Sequence, residues 1–345
     1  MNRSSKSPDH PYRRATGSIK IVLPEASANS SGVVERVIEA EIPSVGHRLG
    51  NGAATEVTLL VNGRRATLFV SCRNDGRIVP ALAQTLSTNG MVVIDSEQYT
   101  GAEASHLFQR IHGDIARLPP GAPGLVRSLQ GMTREFGLSF SSHESTRRKR
   151  LAIFVSKYDH CLYDLLLRHK AGELDCDIPV IISNHPDLEL VARQFGVDFQ
   201  VVPKSAANKA EAERIEGSIL DERAIDLVVL ARYMQVLSTE FVSAWERRII
   251  NIHHSFLPAF IGGQPYHQAH RRGVKLIGAT AHYATATLDE GPIIEQDVVR
   301  CTHKDTVDDL TRKGRDLEKT VLARAVRWHL EDRVLVYSNK TIVFN

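Results

Sequence analysis

Between residues 150 and 252 short apolar runs alternate with stretches of helical spacing, and this rhythm is the strongest pattern in the chain. Arg150-Leu-Ala-Ile-Phe-Val-Ser156, Ile178–Ser183, Phe199–Val202, Leu227–Ala231 and Ile249–Ile252 read as strands. Helices are expected over His160–His169, Leu188–Phe195 closed by Gly196, Glu211–Asp221 and Thr239–Trp245. Apolar strands alternating with helices predict an α/β fold, an open, mostly parallel sheet wound on both faces. Ligands of such folds sit beyond the carboxyl ends of the strands. Asn251 and His253 fall at the end of the fifth strand.

The first half of the chain reads differently. Residues 1–25 are rich in Ser, Pro, Arg and Lys without periodicity, too polar to offset the entropy of ordering. Residues 26–65 hold a few strand-like runs, such as Glu56–Val61 before Asn62-Gly63, which could pair as a hairpin with Ala66–Ser71. Residues 1–65 are therefore set apart as a disordered or unassigned extension. From there the pattern runs strand (Leu68–Cys72), turn (Asn74-Asp75-Gly76), helix (Ile78–Leu86), strand (Met91–Glu97), strand (His106–Ile111) and helix (Leu125–Phe136, closed by Gly137). This is a small α+β domain over 66–143. A polar, basic connector at 144–150 separates it from a larger domain over 151–345.

A chain of 345 residues is comfortable as two domains, and 42% hydrophobic with 24% charged residues is ordinary for a globular protein. A net charge of +3, with both signs interleaved, does not point to nucleic acid. Cys72, Cys161, Cys176 and Cys301 form no Cys-x-x-Cys pair, so neither a disulfide framework nor a zinc knuckle is favoured. No apolar stretch is long enough to span a bilayer. The start of the chain lacks the apolar core of a secretion signal, and its basic, acid-poor first twenty residues read as a tail rather than a transit peptide. A cytoplasmic location is expected.

Candidate chemistry gathers around Asn251-Ile-His253-His-Ser-Phe-Leu-Pro258 and His282-Tyr-Ala-Thr-Ala-Thr-Leu-Asp289-Glu-Gly-Pro292. Residues two apart on a strand end project to the same side, so Asn251 and His253 can share one oxyanion while His254 points away. Attack on an amide carbonyl builds charge on its oxygen, and such donors stabilise it. Asp289, on a turn before Gly291-Pro292, can position the attacking water and take or relay its proton. Its pKa would have to rise from near 4 for that role to be efficient. Five histidines, His253, His254, His267, His270 and His282, raise the question of zinc. Three convergent ligands are needed, adjacent strand histidines diverge, and no His-Glu-x-x-His helix is present, so no metal is expected.

These motifs resemble the catalytic core of enzymes that use 10-formyltetrahydrofolate as a formyl donor. Within that group Ile249–Gly262, Tyr266-His-Gln-Ala269 and Gly273–Tyr283 are most similar to the formyltetrahydrofolate deformylases, over residues 147–345. The resemblance implies a formyltransferase-like catalytic domain, with Asn251, His253 and Asp289 catalytic and His282 orienting the carboxylate. It implies that the loop Ala231–Ser238, through Met234, Gln235, Val236 and Leu237, lines the pterin pocket. It implies hydrolysis of 10-formyltetrahydrofolate to formate and tetrahydrofolate, which returns free folate and supplies formate for purine synthesis, with no cofactor. The region 66–143 is similar to the ACT domain that precedes deformylase catalytic domains. There the usual Asp-x-Pro-Gly is replaced by Asn74-Asp75-Gly76-Arg77, leaving open whether the domain binds an amino-acid effector or only joins identical subunits into an oligomer.

The acceptor separates hydrolysis from transfer. Transformylases acting on a ribonucleotide carry a Gly-rich loop after the first strand, whose amides cradle phosphate. Here that segment is Ser156-Lys-Tyr-Asp-His-Cys-Leu162, without glycine, so water is the expected attacker. Two alternatives stand beside it: formyl transfer to an amine acceptor, and a non-catalytic folate-sensing protein. One departure from the family is Gly263-Gln264, where a basic residue is usual.

Overall fold

The computed structural model describes residues 65–101, 105–119, 122–144, 147–258 and 265–345, together with the backbone of two earlier strands. Those strands, Ser18–Leu23 (β1) and Arg36–Glu41 (β2), pair antiparallel inside the stretch set apart as disordered or unassigned. The strand-like run Glu56–Val61 and the Gly263-Gln264 departure lie outside the described residues. The chain divides into two compact units, 1–144 and 145–345.

In the first unit the order is β3 (Arg65–Arg73), α1 (Ile78–Thr88), β4 (Val92–Gly101), β5 (His106–Asp114), α2 (Pro123–Phe136) and β6 (Ser139–Glu144). Its sheet runs β4-β5-β3-β6, antiparallel throughout. Period-two burial turns Leu68, Val70, Leu107 and Ile111 onto one face, where Leu82, Leu86, Leu125 and Leu129 of the helices cover them. Gly137, at φ 64°, stops α2 in the left-handed conformation that a side chain would resist. Strand β6 is absent from the sequence reading. Ser-Phe-Ser-Ser-His-Glu carries one large apolar residue, Phe140, and the other side of the strand faces outward. Because β6 runs through Glu144 and the next strand opens at Lys149, the connector shrinks from 144–150 to 145–148.

The second unit holds a sheet of order β13-β12-β11-β10-β7-β8-β9. Its parallel strands are β7 (Lys149–Val155), β8 (Cys176–Ser183), β9 (Asp198–Val201), β10 (Leu227–Leu230) and β11 (Ile249–His253). Strands β12 (Leu276–Tyr283) and β13 (Ile293–Arg300) return antiparallel beyond β11. Helices α3 (His160–Lys170) and α8 (Val307–Leu330) cover one face, through Leu162, Leu165, Val321 and Val326 on Ile153, Val229 and Ile252. The other face buries Phe154, Val228 and Ile249 under α5 (Lys209–Glu222) and α6 (Thr239–Ala244). α4 (Glu189–Phe195), α7 (Pro265–Arg272) and the hairpin β14 (Val334–Tyr337) with β15 (Lys340–Val343) complete it. Strand order reverses at β7 and β10, which opens a crevice at their carboxyl ends. The α/β expectation thus holds, and two antiparallel strands make the sheet mixed.

Candidate active site

Alternation along two neighbouring strands brings the catalytic candidates together. Ile250 and Ile252 of β11, and Ala279, Ala281 and Tyr283 of β12, enter the core beneath α3 and α8. Asn251, His253, Thr280 and His282 therefore share the opposite face, with Asn251 directly across from His282 and His253 across from Thr280. The Asn251 amide Nδ2 donates to His282 Nε2 at 3.1 Å, and His282 Nδ1 donates to the Tyr283 carbonyl at 3.0 Å. Those two bonds fix the orientation of the His282 ring.

Asp289 closes the cluster from the β12–β13 loop, its backbone left-handed at φ 59°. Its Oδ2 accepts from His253 Nδ1 at 3.1 Å, and its Oδ1 lies 3.6 Å from His282 Nε2, beyond hydrogen-bonding distance. The loop is pinned at its base. Tyr283 N donates to Pro292 O at 3.0 Å, Asn339 Nδ2 to Glu290 O at 3.0 Å and Thr341 Oγ1 to Ile293 O at 2.6 Å. A Cβ on Gly291 would stand 1.7 Å from the Tyr283 carbonyl oxygen, so only glycine lets the turn lie this close.

The electrostatics correct one expectation. Burial alone would raise the Asp289 pKa, but the hydrogen bond from His253 and the adjoining His282 imidazole outweigh it and hold the carboxyl well below its usual range. Asp289 is an ionised acceptor and not the tuned-up base that the sequence suggested. The geometry also corrects the orientation of His254. Beyond the end of β11 its ring stacks on His253, with centroids 5.0 Å apart and planes at 22°, instead of diverging. Burial, aided by Arg232 and His253, pushes the His254 pKa down to about 4. His253 Nε2 is buried and has no hydrogen-bond partner among the described residues.

Several residues that fix this geometry escaped the sequence reading. Thr280 Oγ1 donates to Ser255 O at 2.8 Å and accepts from Leu257 N at 3.1 Å, tying the turn after His253 to β12. Gln296, across from Thr280 on β13, donates to Thr280 Oγ1 and to Leu257 O. The row His253–Thr280–Gln296 is a register effect, visible only once the strands are paired. The turn contains a cis Leu257–Pro258 bond.

The loop after β10 lies beside the cluster, since Leu230 pairs with Asn251. Met234 and Val236 are exposed at 53% and 57%, while Gln235 and Leu237 are half-buried. Met234 N donates to Ser156 Oγ at 3.0 Å, Tyr233 Oη to Glu216 Oε1 at 2.7 Å and Ser238 N to Glu213 Oε1 at 3.0 Å. Lys204 neutralises that acidic pair from 2.7 Å and 3.7 Å. Of the histidines weighed for zinc, none belongs to a close group of three potential ligands among the described residues. The group that does is His160, Cys161 and Glu318.

Comparison with known proteins bears on the family and the fold. The sequence profile of the formyl transferase family matches residues 149–326, about half of the chain. Formyltetrahydrofolate deformylases from Synechocystis sp. and Bacillus subtilis are 52% and 46% identical to this chain. The alignments cover 81% and 82% of this chain and 98% and 95% of theirs. The chain belongs to the formyltetrahydrofolate deformylase family. The crystal structure of a family member from Pseudomonas syringae pv. tomato superposes with a TM-score of 0.76 at 41% identity, over 83% of this chain and 96% of that one. A glycinamide ribonucleotide transformylase from Symbiobacterium toebii matches with a TM-score of 0.54 at 32% identity, over 57% of this chain and 95% of its own. Its shorter length corresponds to one domain of the two described here.

Proposed function

We propose that this chain hydrolyses 10-formyltetrahydrofolate to formate and tetrahydrofolate by direct attack of water. The observation that carries the reading is the Asn251–His253–His282–Asp289 cluster at the carboxyl end of β11, in a chain about half identical to formyltetrahydrofolate deformylases. The pterin ring lies against the loop Met234, Gln235, Val236 and Leu237, of which Met234 and Val236 are exposed. This delivers the formyl carbon to the cluster.

Asn251 uses its second amide hydrogen, and His253 its buried Nε2, to hold the formyl oxygen as it becomes an oxyanion. Nε2 donates when His253 is an imidazolium, and Asp289, ionised on the Nδ1 side, stabilises that charge. Asp289 also accepts a hydrogen bond from the attacking water. A weak base suffices there, because the water proton becomes acidic only as the new C–O bond forms. Collapse of the tetrahedral intermediate breaks the C–N10 bond, N10 gains a proton, and formate leaves. His282 fixes Asn251 and borders Asp289, an orienting role. The two donors supply the polarisation a Lewis acid would give, so the reaction calls for no metal and no cofactor.

Incubating the full chain with 10-formyltetrahydrofolate and no amine should release formate and tetrahydrofolate in equal amounts. Formate appearing only after an amine is added would replace hydrolysis by transfer. The βαββαβ unit has the element order of an ACT domain, which supports an amino-acid effector there. Its edge strand β4 exposes Val92, Val93, Ile94 and Tyr99, which supports assembly of identical subunits. Four buried free cysteines, and no helix among the described residues long and apolar enough to cross a membrane, support a cytoplasmic site of action.

A further inference from the structure

A cavity of about 260 Å³ is lined by Tyr158, Arg232, His254, Tyr266, Arg315 and Glu318, and it also borders Met234 of the loop after β10. Its charge is unbalanced. The Glu318 carboxylate is buried, at 1% exposure, and already engaged: it accepts from His160 Nε2 and Tyr266 Oη, both at 2.7 Å, and lies 3.4 Å from Arg232 Nε. Two guanidiniums flank the Tyr158 ring, Arg232 at 5.0 Å and Arg315 at 5.8 Å from its centroid. Arg315 is exposed and forms no ion pair with an acid among the described residues. Arg232 is 91% buried in its side chain by the 9% exposure that remains, and its Nε has no hydrogen-bond partner there.

Two cations against one satisfied carboxylate leave a net positive cavity with unused donors. A cation would meet Arg232 and Arg315, which argues against a metal held by His160, Cys161 and Glu318. A small oxoanion would instead find charge-assisted hydrogen bonds. His254 is the shared wall, its ring stacked on His253 and 6.3 Å from Tyr266. An imidazole kept neutral at physiological pH separates the two sites without adding charge.

We propose that this cavity receives the carboxylate product: formate formed beside His253 passes His254 and is held by Arg315 and Arg232 before it reaches solvent. The proposal rests on the hydrolytic reading. Hydrolysis turns a neutral formyl group into an anion next to the Asp289 carboxylate, which repels it. A cationic cavity one side chain away draws that anion off and disfavours its return.

The test is a titration of the full chain, saturated with tetrahydrofolate, with ¹³C-labelled formate observed by NMR. Wild type should show saturable binding, Arg315→Ala should weaken it about tenfold or more, and Arg315→Lys should restore part of it. Arg315 is an exposed helix residue, so the variant folds, and unchanged thermal unfolding verifies this. No saturable binding by wild type, or binding unaffected by Arg315→Ala, overturns the proposal. Inorganic phosphate displacing formate at far lower concentration than formate itself binds assigns the cavity to a phosphate-bearing ligand and overturns it too. The titration consumes no substrate, so it is independent of the formate-release assay that tests hydrolysis.

Discussion

At the scale of single residues the proposed mechanism rests on one ionised carboxylate and the donors arranged around it. Asn251→Ala removes an oxyanion donor and should lower kcat about a hundred- to thousandfold, with KM for 10-formyltetrahydrofolate nearly unchanged. Asp289→Asn should bind a folate analogue normally yet hydrolyse far more slowly; hydrolysis at the wild-type rate would exclude a role for the carboxylate. The depressed Asp289 pKa also sets a pH dependence of stability. A carboxyl whose folded pKa lies below its unfolded value of about 4 stabilises the fold above that pH, and the contribution fades on acidification toward the folded value. Urea unfolding of wild type and Asp289→Asn should therefore differ most at neutral pH and converge as pH falls below about 4. His254 moves the other way, since its neutral form is favoured in the fold, and its NMR titration should centre near pH 4. A midpoint in the ordinary histidine range would mean that the ring is solvated and does not wall off the neighbouring cavity.

Loops seated on strand ends decide the geometry at the next scale. Ser156 closes β7 and accepts from Met234 N, so Ser156→Ala frees the loop that carries Met234 to Leu237. Losing about 1 kcal/mol there should raise KM roughly fivefold while kcat changes little. Gly291→Ala is more severe, because its Cβ would meet the backbone oxygen of Tyr283 and the loop bearing Asp289 would have to move. A large fall in kcat with preserved folate-analogue binding is expected. The strands β7, β8, β10 and β11 and the pairing of Asn251 with His253 were legible in the sequence, because an unbroken apolar run leaves few alternatives and a two-residue period fixes the side. β6 was not, since its outward side is polar and its pairing with β3 is long-range. The Asp289 pKa was not either. Sequence shows a turn carboxylate, but the sign of its shift depends on two imidazoles brought in from neighbouring strands. Thr280 and Gln296 were hidden for the same reason, as their role depends on a register between strands.

For the whole molecule the question is whether catalysis belongs to one unit or needs both. Every residue assigned here to chemistry or to folate binding lies between 156 and 341, inside the unit 145–345, which has its own two-faced sheet and its own cores. The transformylase from Symbiobacterium toebii is matched over 95% of its length by 57% of this chain, so a fold of this kind exists without the small unit. A fragment spanning residues 145–345 should thus unfold in a single cooperative transition and release formate from 10-formyltetrahydrofolate without an amine. Its kcat/KM should stay within about tenfold of the full chain, the loss expected when residues of a completed site are left untouched. Circular dichroism and the formate assay on the same preparation separate the outcomes. A folded fragment without formate release would show that residues before 145 complete the site, and an unfolded one would show that the first unit stabilises the second.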